Sequence, residues 1–207
     1  MVKRTAITRR GLFRGLGTAT LVAGCKGSGE RATAEPDDAS VIARGSAVTL
    51  GPGPSPVEFT LNGAATKLEV PPSATLLDTL RRALDKTGSK KVCDRGACGA
   101  CMVLVDGVPR NSCMTLAHDV AGRAVTTVEG LAQDGAPSPL QRAFVERDAL
   151  QCGFCTSGML ISASALLARG GSPSDDDIRE AIAGNLCRCG TYPHVVAAVR
   201  DASKERA

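Results

Sequence analysis

The sequence predicts an α+β protein, in which a small unit of strands and one helix is followed by an all-helical unit. Turn dipeptides separate alternating polar and apolar residues between Val57 and Thr127, and from Leu131 onward the apolar residues recur at helical spacing. The 207 residues, 43% of them hydrophobic, are enough for two such domains. The net charge of +4 is concentrated in the first 31 residues, so no nucleic-acid partner is expected.

The first unit is predicted to contain a hairpin, a helix and a second hairpin, which is the order of a β-grasp fold. Asn62-Gly63 separates "VEFTL" from "AATKLEV", and Asp106-Gly107 separates "CMVLV" from "VPRNSC". Both dipeptides are typical of two-residue hairpin turns. Between the hairpins, "SATLLDTLRRAL" has apolar residues at helical spacing, and Ser73 is its predicted N-cap. We predict that this domain spans residues 57–130.

Four cysteines of this unit have the spacing of a plant-type [2Fe-2S] site. The pattern C-x4-C-x2-C brings three thiolates to one tight loop, and a fourth cysteine follows at the end of the second hairpin. Gly96 and Gly99 allow the loop to turn its backbone N–H groups towards the cluster sulfides. The predicted ligands are Cys93, Cys98, Cys101 and Cys113.

Residues 131–203 are predicted to form four short helices that pack as a bundle. "SPLQRAFVERDA" begins with Ser138-Pro139 in cap and first-turn positions, and "SPSDDDIREAIAG" has acidic residues in its first turn. The segments "TSGMLISASALLAR" and "PHVVAAVRDA" complete the set. Aromatic residues make up only 2% of the chain, so the cores have to close around small aliphatic side chains.

A second set of four cysteines lies at the ends of these helices, where N-terminal N–H groups favour thiolates. Cys152 and Cys155 occur in "QCGFC", and Cys187 and Cys189 occur in "NLCRCG". A C-x-C pair makes a strained disulfide, and zinc sites prefer two to four residues between ligands. A [2Fe-2S] cluster accepts this spacing because its two irons are separate attachment points.

The chain begins with the pattern of an export signal, which we assign to residues 1–24. Arg9 and Arg10 in "TRRGLFR" resemble the twin-arginine motif read by the exporter of folded proteins, so a periplasmic location is expected. "LVAGC" resembles a lipobox, so that Cys25 is either a lipid anchor, making the protein a membrane-anchored lipoprotein, or an incidental cysteine. Residues 25–56, rich in Gly, Ser, Pro and Ala, are predicted to be a flexible linker.

Disulfides and zinc are the alternatives to two iron-sulfur clusters. Eight cysteines in an exported protein suggest four disulfides, and a repeated C-x2-C suggests zinc. The C-x4-C-x2-C and C-x-C spacings fit zinc poorly. Moreover, a disulfide scaffold can cross a membrane unfolded, whereas a protein that carries a cluster must receive it first and cross folded. Two [2Fe-2S] clusters are therefore the favoured interpretation.

The segments "KKVCDRGACGACMVLVDG", "NSC", "QCGFCTSG" and "GNLCRCGTY" together resemble the small iron-sulfur subunit of the molybdenum hydroxylases, the xanthine dehydrogenase and aldehyde oxidoreductase family. The resemblance covers residues 57–203 and all eight cysteine positions. It implies a β-grasp ferredoxin-like domain followed by an all-α four-helix-bundle domain, each with one [2Fe-2S] cluster.

The resemblance also implies partner subunits. A separate large subunit would hold molybdopterin and hydroxylate an aldehyde or N-heterocycle, and by position Gln151 and Cys189 would contact the pterin. The β-grasp cluster would pass electrons to a FAD subunit or a cytochrome-type acceptor. This chain would be an electron-transfer subunit with no catalytic residue of its own. The alternative from another class is an exported, disulfide-stapled binding protein without a redox role.

Two residues depart from the family pattern. Val92 stands where the family usually has Gly before the first cysteine, and we expect it either to reshape the loop or to dock beneath the cluster. Ser157 replaces the more common Pro in "CTPG". Together with the twin-arginine signal, this serine makes the chain more similar to periplasmic aldehyde oxidoreductases than to cytoplasmic xanthine enzymes.

Overall fold

The computed structural model describes residues 50–132 and 135–205. In this part of the chain, a mixed five-stranded sheet with one helical segment is followed by four helices. The predicted α+β fold class is therefore confirmed. The predicted export signal, Cys25 and the linker up to residue 49 lie outside the described residues. None of the helices within the described ranges is long and apolar enough to cross a membrane.

The sheet has the strand order β2-β1-β5-β3-β4. Strands β1 and β2 form the first hairpin and β3 and β4 the second, while β5 lies between the hairpins, parallel to β1 and antiparallel to β3. This short strand joins the two hairpins into one sheet. The strands are β1 (Ser55–Leu61), β2 (Ala64–Val70), β3 (Met102–Val105), β4 (Val108–Asn111) and β5 (Ala124–Thr126).

Both predicted hairpin turns are confirmed. Asn62 and Gly63 have φ values of 49° and 84°, and Asp106 and Gly107 have values of 49° and 78°. A two-residue turn with both central residues at positive φ has the twist that antiparallel strands need.

The helical segment between the hairpins begins as α1 (Leu76–Asp78) and continues through a π-helical turn (Thr79–Ala83). The predicted cap was wrong, because Thr75 rather than Ser73 occupies the N-cap. Thr75 has extended backbone, and its Oγ1 accepts a hydrogen bond from the backbone N–H of Asp78 at 3.1 Å. A cap side chain satisfies an N–H two or three residues ahead, and the helix starts directly after Thr75, which leaves Ser73 too early.

The helical unit consists of four helices, as predicted. Ser138 and Ser174 cap the first and third helices, and each forms a reciprocal capping box with the residue three positions later. Three aspartates follow Ser174, as the electrostatics of a helix N-terminus favour. The helices are α2 (Pro139–Glu146), α3 (Thr156–Ala168), α4 (Asp175–Ile182) and α5 (Tyr192–Lys204).

Each unit has its own hydrophobic core, and helix α3 packs against both units. One core lies beneath the sheet and α1, and the other lies between the helices around Phe144, Met159 and Ile178. Helix α3 contacts β3 and β4 on one side and the other three helices on the other. The sheet and the helices are therefore joined through α3.

Phe144→Ala should lower the free energy of unfolding by about 3–5 kcal/mol, because Phe144 is 1% exposed and its loss would leave a cavity in the helical core. The neighbouring Val145 is 68% exposed, so Val145→Ala should change this free energy by less than about 0.5 kcal/mol. Urea unfolding followed by circular dichroism measures both. Equal effects of the two substitutions would contradict the described core.

Candidate metal centres

The structure brings the first four cysteines together around one loop. Cys93, Cys98 and Cys101 lie on the loop before β3, and Cys113 lies in a short 3-10 turn after β4. The pKa of Cys113 is raised to about 11, first by burial and then by its interaction with the Cys101 thiol, and Cys93 adds to this shift. Cys93 interacts in turn with the Cys98 thiol. The four thiols thus form one group made of two close pairs.

Backbone N–H groups surround the sulfur atoms of this loop. Hydrogen bonds from the backbone of Arg95, and then the Cys98 side chain, lower the pKa of Cys93 to about 7. Gly96, at a φ of 72°, donates its N–H to the Cys113 Sγ at 3.3 Å. A residue with a Cβ adopts this backbone less readily, so the expected role of Gly96 fits the observed geometry. These backbone N–H groups therefore favour the thiolate form of Cys93.

The other four cysteines are also brought together, as two pairs. Cys155 directly precedes α3, and burial followed by interaction with Cys187 raises its pKa to about 12. Cys189 interacts with Cys152, and both of these thiols are exposed. The inner pair, Cys155 and Cys187, is held in the helical core, and the outer pair is at the surface.

Two residues that the sequence analysis did not single out hold Cys187 in place. Burial alone would raise the pKa of Cys187, but hydrogen bonds from Thr191 prevail and lower it to about 7. Tyr192 accepts a hydrogen bond from the Cys187 N–H at 2.8 Å and donates one to the Asn185 carbonyl at 3.0 Å. The sequence signal for both was their position in "CGTY", directly after the last cysteine.

The arrangement of the thiols fits a two-iron cluster in each group. Each iron of a [2Fe-2S] cluster takes two protein thiolates, and each group consists of two close pairs. In residues 50–132 and 135–205, no three His, Cys, Asp or Glu side chains converge on a single ion position. All eight cysteines of these ranges are free, which disfavours the disulfide alternative. The assignment of each ligand stays a prediction.

A buried hydroxyl at the second group also fits a bound cofactor. Thr156 Oγ1 is buried and has no hydrogen-bond partner among the described residues. Unpartnered buried polar groups are rare in folded proteins, because each one costs desolvation energy. Thr156 directly follows Cys155, so a group bound at Cys155 would supply an acceptor that this hydroxyl lacks.

The two cysteine loops are in direct contact with each other. Leu186, next to Cys187, donates its N–H to the Cys98 carbonyl at 2.9 Å. Asn185 Nδ2 donates to the Gly99 carbonyl at 3.1 Å. Ser157 is buried and its Oγ donates to the Ala100 carbonyl at 3.4 Å, a bond that proline could not make. The departure from the family pattern at position 157 therefore adds a hydrogen bond between the two units.

The structure leaves the second departure, Val92, at the surface. Its side chain is 54% exposed, so the expectation that it docks beneath the cluster was wrong. The residue lies in an irregular, largely exposed segment directly before the first cysteine. Gln151 and Cys189, the predicted pterin contacts, are both exposed; Gln151 directly precedes Cys152, and Cys189 is the other member of the outer pair.

Comparisons with known proteins match the chain to two domain families in this order. The family described as 2Fe-2S iron-sulfur cluster binding domain matches residues 59–127, and the [2Fe-2S] binding domain family matches residues 127–200. Both cysteine groups therefore lie inside iron-sulfur families.

Relatives with known activities are similar over most of the chain. The aldehyde oxidoreductase iron-sulfur-binding subunit PaoA of Escherichia coli K12 is 44% identical over 77% of this chain and 76% of its own length. The nicotine 6-hydroxylase small subunit of Paenarthrobacter nicotinovorans is 48% identical over 70% of this chain and 88% of its own length. A chain of quinoline 2-oxidoreductase from Pseudomonas putida 86 superimposes with a TM-score of 0.68 at 41% identity, covering 73% of this chain and 97% of that chain.

Gly158→Ala should disturb both centres, although alanine in a helix is normally more stable than glycine by about 1 kcal/mol. A Cβ at position 158 would overlap the Gly99 carbonyl oxygen of the first cysteine loop, so this loop would have to move. We expect a lower iron content per chain and a lower unfolding midpoint. Gly184→Ala is the matched control, because a Cβ there meets no atom within 4 Å. Normal iron content in Gly158→Ala would contradict the described contact.

Proposed function

This chain belongs to the iron-sulfur subunits of the molybdenum hydroxylases, and from this membership we propose that it carries electrons singly from a molybdopterin-binding partner subunit to an outer acceptor. The observation that carries the proposal is the direct contact between two loops that each gather four cysteines. A one-electron carrier can pass charge between two centres only when these are close together. The free state of all eight described cysteines supports this function over the disulfide-stapled alternative.

The chemistry divides between the subunits. Hydroxylation of a carbon with oxygen from water releases two electrons and two protons, and it takes place on the large subunit. The two [2Fe-2S] clusters supply one-electron transfer when bound to this chain. The chain's own residues hold the clusters, exclude water from the buried thiols and present Gln151 and Cys189 at the surface, where they would contact the pterin.

Exposed apolar side chains support docking of the large subunit beside the second centre. Leu150, Phe154 and Leu186 are all large and exposed, and each lies within two residues of a cysteine of this group. Protein surfaces rarely gather such side chains without a partner. We propose that they pack against the molybdopterin subunit, around the outer pair Cys152 and Cys189.

A second exposed apolar pair supports an acceptor at the first centre. Val92 and Met114 are each adjacent in sequence to a cysteine of this group, and both are largely exposed. We propose that a FAD subunit or a cytochrome-type protein binds here. The surface that receives electrons would then lie at the second centre, and the surface that delivers them would lie at the first.

The substrate class we propose is an aldehyde or an N-heterocycle. An aldehyde oxidoreductase subunit and a nicotine 6-hydroxylase subunit are similar to this chain at 44% and 48% identity. Enzymes with different substrates thus have similar iron-sulfur subunits, because this subunit binds no substrate. The choice between these substrates is made on the partner subunit.

Cys98→Ser and Cys189→Ser should each remove one of two distinct paramagnetic signals from the reduced complex. Serine has a similar shape to cysteine but is a harder, weaker ligand for iron in such clusters. The unmodified chain should contain about four irons and four acid-labile sulfides, and each variant should retain about half. Iron assays and electron paramagnetic resonance measure this. If both substitutions removed the same signal, or if zinc replaced iron, the two groups would be wrongly assigned.

We further propose that the protein is exported folded to the periplasm by its twin-arginine signal. Replacing Arg9 and Arg10 by Lys should leave cluster-loaded protein in the cytoplasm, because lysine does not reproduce the planar guanidinium groups. Cell fractionation measures the distribution, and normal export of the double variant would refute the signal.

In the same fractionation, Cys25→Ala should release the protein from the membrane if Cys25 carries the lipid anchor.

A further inference from the structure

Asn185 lies at the junction of the two cysteine loops and is 1% exposed. Its Nδ2 donates to the Gly99 carbonyl at 3.1 Å, across 86 positions of sequence. Its Oδ1 accepts a hydrogen bond from the Ser162 hydroxyl at 2.8 Å. Because the Gly99 carbonyl can only accept, the amide nitrogen has to face the first loop, and the Ser162 hydroxyl is the donor that fixes this orientation.

The backbone of Asn185 is as fully engaged as its side chain. Its N–H donates to the Ile182 carbonyl at 2.9 Å, and its carbonyl accepts from the Tyr192 hydroxyl at 3.0 Å. The same hydroxyl accepts from the Cys187 N–H. The backbone of Asn185 is thus hydrogen-bonded to helix α4 and to the start of α5. Its side chain is the part of the residue that hydrogen-bonds to the loop of Cys98.

Two glycines bring the loops into backbone contact at this point. A Cβ at Gly99 would overlap the Gly184 carbonyl, and a Cβ at Gly158 would overlap the Gly99 carbonyl. At this point the loops are in contact through backbone atoms and through the Asn185 amide. The backbone hydrogen bond from Leu186 to Cys98 lies beside the Asn185 amide. The loops are thus held by this backbone hydrogen bond and by the Asn185 amide, and the amide is the part of the contact that a side-chain substitution can remove.

We propose that Asn185 is a positioning residue that fixes the separation of the two clusters and thereby the rate of electron transfer between them. The inference rests on the proposed function, in which both cysteine groups bind clusters. Electron transfer between fixed centres slows steeply as their separation grows. Loss of the Asn185 bond to Gly99 leaves both sets of cysteines intact and loosens only the contact between the loops.

Asn185→Asp is the test, because aspartate has the shape of asparagine but presents oxygen instead of N–H to the Gly99 carbonyl. In the complete complex with the large subunit, we expect both paramagnetic signals to persist and the magnetic interaction between them to weaken. Electron exchange between the clusters should become several-fold slower. Pulsed electron paramagnetic resonance of the reduced complex measures the interaction, and freeze-quench kinetics measure the exchange.

Asn62→Asp is the matched control, because Asn62 makes two side-chain hydrogen bonds to Thr127 within the sheet unit and none to a cysteine loop. It should destabilise the chain without changing the interaction between the clusters. Ser162→Ala provides an independent variant, since it removes the hydroxyl that orients the Asn185 amide, and we expect a smaller change in the same direction.

An unchanged magnetic interaction in Asn185→Asp and Ser162→Ala would overturn the inference. Loss of one cluster from Asn185→Asp would also overturn it, because the residue would then be part of a binding site rather than of the spacing between two sites. If Asn185→Asp does not fold, Ser162→Ala decides between these outcomes. Fewer than two paramagnetic signals in the unmodified complex would instead overturn the proposed function itself.

Discussion

The two cysteine loops touch through backbone atoms, and the surrounding structure has to accommodate this contact. Each loop must curve so that its thiols converge, and the same loop must lie flat against the other one. Gly99 meets both demands, since its φ is 70° and a Cβ there would overlap the Gly184 carbonyl. A hydrogen bond from the Leu186 N–H to the Cys98 carbonyl then links the two sets of thiols. Cys98 belongs to the first set, and Leu186 directly precedes Cys187 of the second. The contact between the two loops is therefore made by main-chain atoms together with the Asn185 side chain.

The composition of helix α3 follows from the same constraint. The helix lies between the sheet and the other helices, and nine of its 13 residues are buried, so it has to be apolar on all sides. Glycine, alanine and serine in its sequence allow close approach to β3 and to the first cysteine loop. Large aromatic side chains at these positions would separate the two units, and the helix contains none.

Local sequence signals predicted the features that depend on local geometry. The Asn62-Gly63 turn and the Ser138 cap each need only a few neighbouring residues. Strand β5 was missed because three residues are too few to show alternation, and its pairing with β1 is set by a partner more than sixty positions away. Asn185 was missed for a similar reason, since its partner Gly99 lies 86 positions earlier and nothing near Asn185 indicates that contact.

The thiols of the two centres are unequally buried, and this difference distinguishes the inner thiols of each centre from those at the surface. Burial is the largest cause of the raised pKa values of Cys113, at about 11, and Cys155, at about 12, so these thiols anchor their groups in the protein. Cys189 is exposed. From Cys189, the chain leads back through two residues to Leu186, and one hydrogen bond leads from there to Cys98. In the proposed function, the molybdopterin subunit and the outer acceptor would bind at the two ends of this path.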